Sequence, residues 1–273
     1  RLVLVWARGR GDDGNGDAAV PSRAYSGAGV SQQRLRRVLD PLSRRLWDMT
    51  IEGIENIPVD GPAILCPNHI SFFDSVFVMT FAGRNISFVG KAEYMDSWKT
   101  RHLFPALGMI PIDRAGGGKS DAALDAAEQV LRRGELFGIY PEGTRSRDGM
   151  LYKGHTGAAR LALKVGCPII PVGIRGTREI QPPDTFMPKL GLPCTVSFGR
   201  PVNVARYADR PDDHMVWREI IDEVMFEIRE LSGQEYRNTY ASKKPETLHA
   251  PQAVIPHTGG DGGMAPELES TAP

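Results

Sequence analysis

A short apolar run closed by proline, a polar turn, and a second apolar run constrain this chain more than any other stretch. Pro62-Ala63-Ile64-Leu65-Cys66-Pro67 reads as a buried strand, and Asp74-Ser75-Val76-Phe77-Val78-Met79 reads as the first turns of an apolar helix. Between them stands Asn68-His69-Ile70-Ser71-Phe72-Phe73. His69 is therefore expected where a strand hands over to a helix, at the strand's carboxyl end, where open α/β sheets commonly place their sites. Such a turn can fold Asp74 back onto the imidazole, fixing its tautomer and stabilising the imidazolium that forms when the ring takes a proton. The resulting pair is a base without its own nucleophile, suited to deprotonating a hydroxyl that a substrate brings. The same residues also suit a plain turn with Asp74 at a helix start, so the rest of the chain must decide.

Size and charge narrow the alternatives. The 273 residues can bury one sizeable core, and 33 basic against 33 acidic residues argue against a nucleic-acid partner. Cys66, Cys167 and Cys194 are widely spaced and form no C-x-x-C pair, so neither a zinc site nor a disulfide framework is expected, and a reducing compartment fits. No apolar run approaches the roughly 20 residues that span a bilayer. Residues 1–30 and 237–273 are poor in periodic apolar positions and rich in glycine or proline, and both are expected to be disordered.

Residues 31–50 are expected to form an amphipathic helical segment. Leu35, Val38, Leu39, Leu42, Leu46 and Met49 recur at helical steps, with Trp47 at the flank and Pro41 as a potential break after Asp40. Five arginines (34, 36, 37, 44, 45) face two aspartates (40, 48). Two readings stand: a stripe packed on the domain, or a membrane-interface helix with Leu35, Leu39, Leu42, Leu46 and Trp47 in the acyl region and the arginines at anionic headgroups.

From residue 51 to 236, short apolar runs alternate with helical stretches, which predicts an α/β domain whose mixed, largely parallel sheet is flanked by helices. Strands are expected at 64–66, 86–89, 109–112, 136–140, 169–174 and 195–198, and helices at 75–82, 120–132, 156–165 and 212–231. Gly116-Gly117-Gly118-Lys119-Ser120 suggests a phosphate loop, but Asp113 stands where the full pattern needs glycine. No Gly-x-Ser-x-Gly elbow occurs. Two other stretches carry usable groups: a strand from Gly108 ending at Arg114, and the turn Tyr140-Pro141-Glu142-Gly143-Thr144-Arg145-Ser146-Arg147. Arginine's planar fork and the turn amides suit a phosphate, and Lys91 could join as a point charge; a salt-bridged surface turn is the simpler alternative.

Taken together, these stretches resemble the glycerolipid acyltransferase family typified by 1-acyl-sn-glycerol-3-phosphate acyltransferase. Four blocks stand in that family's order: Asn68-His69 to Asp74, Gly108 to Arg114, Tyr140 to Ser146 with tyrosine in place of the usual phenylalanine, and Ile170-Pro171-Val172. The resemblance implies His69 as general base and Asp74 as its orienter. It implies a pocket for the acceptor's phosphate and glycerol from Arg114, Glu142, Gly143, Thr144 and Arg145, with Lys91 a further member, and Pro171 on the acyl-donor side. It further implies no cofactor or metal in the chemical step, an acyl-CoA or acyl-carrier-protein donor, lysophosphatidic acid as acceptor, and a peripheral position on the cytoplasmic face of the membrane. Two alternatives remain: another acceptor, such as glycerol 3-phosphate or a glycosylated phospholipid, and a non-catalytic lipid-binding protein that keeps the fold.

Overall fold

The computed structural model describes residues 28–91, 108–112, 119–183, 185 and 187–241. The extension expected over 1–30 lies outside these residues up to residue 27, as do Arg114 and the tail from 242 onward.

The first element, α1 (Ala28–Leu46), begins inside the stretch expected to be disordered. Pro41 sits within it without ending it. A proline inside a helix costs about 3 kcal/mol, and packing on both sides of it offsets that cost. Leu35 and Leu39 before the proline, and Leu46 and the buried Trp47 after it, rest on one apolar cluster. Trp47 meets Phe73 and Phe77 edge-on at 5.3 and 5.5 Å, and its indole donates to the Lys189 carbonyl at 2.8 Å. The apolar stripe is thus a packing face. The membrane contacts assigned to Leu35, Leu39, Leu46 and Trp47 are corrected accordingly, and Leu42 remains exposed together with Val38. The helical segment also stops short of residue 50, because β1 (Asp48–Glu52) follows at once.

The remaining described strands and α-helices come in the order β2 (Ala63–Pro67), α2 (Phe73–Phe81), β3 (Ile86–Lys91), β4 (Met109–Ile112), α3 (Lys119–Arg132), β5 (Leu136–Gly138), β6 (Leu151–Tyr152), α4 (Gly157–Val165), β7 (Ile169–Arg175), α5 (Thr177–Ile180), β8 (Pro193–Phe198), α6 (His214–Ser232) and β9 (Tyr236–Arg237). Seven strands form one sheet in the order β1-β8-β7-β2-β5-β3-β4, parallel throughout except for the β7–β8 pair. β2 lies near the middle and is buried along its whole length, which is why it reads as an unbroken apolar run. Successive side chains point to opposite faces. Ala63 and Leu65 join the cluster beneath α1 and α2, while Ile64 and Cys66 join the one beneath α3, α4 and α6.

α6 is capped by the Asp213 carboxylate, which accepts from the Met215 amide, and stops at Gly233 in the left-handed region. The chain then returns as β9, which pairs with β6, and the Lys153 amide donates to the Thr239 carbonyl. The ordered fold therefore passes residue 237, where the tail was expected to begin. Gln32 on α1 is buried, and its amide both donates to and accepts from the backbone of Ile86, securing the start of β3.

Gly138, the last residue of β5, has no room for a side chain, since a Cβ there would lie 2.1 Å from Cε1 of the buried Phe88 ring. Gly138→Ala is expected to destabilise the fold by about 1–3 kcal/mol through overpacking. Chemical denaturation measures this, and an unchanged midpoint would contradict the packing described.

Candidate active site

Each residue of the turn after β2 is held by an identifiable partner. The β2 ladder ends at Pro67, and the buried side chain of Asn68 extends the pairing to β7: Nδ2 donates to the Ile174 carbonyl at 3.0 Å, and Oδ1 accepts from the Ile174 amide at 2.8 Å. Nδ2 also donates to Oε1 of Gln234, just past α6, and Gln234 in turn donates to the Gly149 carbonyl. His69 follows with its ring partly exposed and its Nδ1 2.9 Å from Oδ2 of Asp74.

Asp74 has no exposed surface. Its Oδ2 accepts from His69 and from the amides of Ile70 and Ser71 at 2.6 and 2.7 Å, and its Oδ1 accepts from the Thr177 hydroxyl at 2.6 Å. Because the carboxylate can only accept, it holds Nδ1 as the protonated nitrogen, leaving Nε2 as the ring's free base. Among the described residues, none is hydrogen-bonded to Nε2.

The turn after β5 closes over the same histidine. The Gly143 amide donates to the Tyr140 carbonyl at 3.0 Å, and Gly143 has φ 74°, a conformation that other residues rarely adopt. Glu142 is buried. One of its oxygens accepts from the His69 amide and the other from the Tyr152 amide, both at 3.0 Å. Burial pushes its carboxyl up to about 7, against the pull of these two donors. Glu142 is therefore a brace between the His69 turn and β6, which corrects its expected place in the acceptor pocket. The Ser146 amide adds a bond of 2.7 Å to the His69 carbonyl.

Of the expected pocket residues, Gly143 and Arg145 are exposed and Thr144 is partly buried, and all three lie between Glu142 and Ser146, which bond to the His69 backbone. Arg145 has no ion-pair partner among the described residues. Lys91 ends β3, on the β5 side of the sheet, and its side chain lies outside the description, as does Arg114. Pro171 is buried within β7 opposite Cys66, where it builds the sheet and exposes no wall to a donor.

Thr177 and Gln234 escape a reading of the sequence. Thr177 follows β7 after a left-handed Gly176, and its meeting with Asp74 depends on β7 lying beside β2. Gln234 lies 166 residues from Asn68 with no motif around it. Replacing Thr177 by valine leaves Oδ1 of Asp74 buried without a donor, so Thr177→Val is expected to cost about 1–3 kcal/mol. Thr177→Ser should restore most of it. Denaturant titrations of the three proteins test this, and equal stability of the valine variant would remove Thr177 from the site.

Comparison with known proteins agrees with this geometry. Residues 48–175 match the family model described as Acyltransferase. The chain is 31% identical over 137 residues to a chloroplastic 1-acyl-sn-glycerol-3-phosphate acyltransferase of Arabidopsis thaliana, covering 50% of this chain and 38% of the plant protein. It is 33% identical over 185 residues to a 1-acyl-sn-glycerol-3-phosphate acyltransferase of Limnanthes douglasii, covering 67% of this chain and 61% of the relative. The chain thus spans less than two thirds of the length of either relative. Among solved structures, the 1-acyl-sn-glycerophosphate acyltransferase PlsC from Thermotoga maritima superposes with a TM-score of 0.59 at 26% identity, covering 73% of this chain and 80% of that one. The dyad and the braced turn both lie within the matched segment, and residues 48–175 form a domain of the acyltransferase family.

Proposed function

We propose that this protein transfers an acyl chain from an acyl thioester, acyl-CoA, to the free hydroxyl of 1-acyl-sn-glycerol 3-phosphate, giving phosphatidic acid. The observation that carries the reading is the His69–Asp74 pair, oriented by a buried carboxylate with Nε2 left open. The acceptor's hydroxyl gives its proton to Nε2 as its oxygen attacks the thioester carbonyl. The tetrahedral adduct collapses, the thiolate leaves, and the proton passes from His69 to the departing sulfur. Arg145, exposed and without an ion-pair partner among the described residues, supplies a fork for the acceptor's phosphate, and the Gly143 turn lets the acceptor approach the backbone. The names of the relatives favour lysophosphatidic acid over glycerol 3-phosphate as acceptor.

A lipid acceptor requires contact with a bilayer. No described helix is long and apolar enough to cross one. The outward face of α1 exposes Val38 (61%) and Leu42 (44%) among exposed Arg34, Arg37 and Arg45. We assign docking on the anionic cytoplasmic leaflet to this face, with shallow apolar insertion and electrostatic attraction acting together.

Purified protein supplied with labelled acyl-CoA or acyl-carrier protein, and with a panel of lysolipid and glycerol phosphate acceptors, is expected to acylate lysophosphatidic acid from acyl-CoA. Product from another acceptor alone would overturn the assignment. His69→Ala should lower turnover by about 10²–10⁴-fold while acceptor binding is retained, and full turnover by that variant would sink the general-base mechanism. For docking, Val38→Ser with Leu42→Ser should weaken co-sedimentation with anionic vesicles. Arg34, Arg37 and Arg45→Gln should remove only the part of binding that added salt also removes. Undiminished binding by both folded variants would leave this face without a membrane role.

A further inference from the structure

The bond between His69 and Asp74 fixes one ring nitrogen but leaves the plane of the imidazole free to tilt about it. A second contact sets that plane. The Tyr140 ring stacks on His69 with centroids 3.8 Å apart and planes 18° from parallel. We propose that Tyr140 is a positioning residue for the transfer, whose ring holds the plane of His69 and meets with its π face the positive charge that develops on the imidazole. This inference rests on the general-base reading above and extends it to a residue that acts through His69.

Three observations make Tyr140 a rigid support. Its hydroxyl is 2.6 Å from the Ser75 hydroxyl, and Ser75 is the neighbour of Asp74 on α2, so the ring plane and the carboxylate are referred to the same helical turn. Behind Tyr140, the Phe88 ring stacks at 5.8 Å and 20°, and Phe88 fills the space that a side chain at Gly138 would need. Immediately after Tyr140, Glu142 and Ser146 bind the amide and carbonyl of His69. The turn after β5 therefore grips the histidine by its ring and by both of its backbone groups. A cation held against an aromatic face is favoured by the ring quadrupole, more so when partly desolvated, so the stack also favours the charged ring formed in the transition state.

Because small misplacements of a reacting group cost rate steeply, Tyr140→Leu is expected to lower kcat by about 10²-fold with the acceptor KM unchanged. Tyr140→Phe, which keeps the ring and loses only the Ser75 bond, should recover most of that rate. A leucine variant with the parent's kcat, or a loss confined to KM, would overturn the proposal. A second measurement does not depend on the leucine variant folding or on any acyl transfer being found. Proton NMR of the parent should show His69 ring C–H resonances, assigned by their disappearance in His69→Ala, displaced upfield by the Tyr140 ring current. The displacement should persist in Tyr140→Phe, and undisplaced resonances in the parent would refute the stack. Absence of transfer by the parent with every acceptor, alongside displaced resonances, would count against the proposed function while leaving the positioning contact standing.

Discussion

The burial of the Asp74 carboxylate governs the architecture around it. An unpaired charge in a protein interior costs several kcal/mol, so the fold must bring donors to it. It brings four: the His69 ring, two consecutive amides and the Thr177 hydroxyl. The two amides force the chain to wrap tightly around the carboxylate directly after β2. The threonine can arrive only if β7 lies beside β2 and ends in the same plane. A constraint that begins with one charge thus dictates a turn, a strand neighbour and the direction of an imidazole.

The sheet order explains how distant segments meet those demands. β2 pairs with β7 on one side and β5 on the other, all parallel, so their carboxyl ends deliver Asn68-His69, Thr177 and the Tyr140 turn to one edge. Beyond the ladders, side chains continue the strand pairing: Asn68 toward Ile174, and Glu142 between the amides of His69 and Tyr152. Both are buried polar groups, which are costly to leave unpaired and specific once paired. Their partners come from backbone, so these positions depend on strand registry as well as on side-chain identity.

This division accounts for what the sequence makes legible. The strands and helices that frame the site could be placed to within a few residues, because buried apolar runs and capped periodic segments are local signals. His69 and Asp74 are separated by a single turn, so their meeting was legible too. Glu142 was misassigned, because a carboxylate beside glycine and arginine in a turn has the composition of a ligand pocket, while its actual partners are backbone amides supplied by tertiary registry. The stripe on α1 was ambiguous for a different reason: an apolar face wants burial, and periodicity does not say whether protein or lipid provides it. Here Trp47, Phe73 and Phe77 provide it. The contacts of Thr177 and Gln234 depend on strand neighbours and chain return, which no local pattern encodes.

The hydroxyls and thiols around the dyad bear on why the base would serve an outside nucleophile. Ser71 and Ser75 flank Asp74 in sequence and could in principle have been the residue that His69 activates. Ser71 directs its hydroxyl to Gln181, and Ser75 directs its own to Tyr140. Cys66 stands three residues before His69, but it points into the core on the face opposite α2, and burial pushes its thiol up, away from the thiolate that attack would require. Cys167 and Cys194 are likewise buried, with thiols pushed up to about 12. Among the described residues these groups are committed elsewhere and none is hydrogen-bonded to Nε2, so the oriented base fits the proposed attack by a hydroxyl carried in by the acceptor. That arrangement supports direct transfer, and it follows from the same hydrogen bonds that keep the buried carboxylate satisfied.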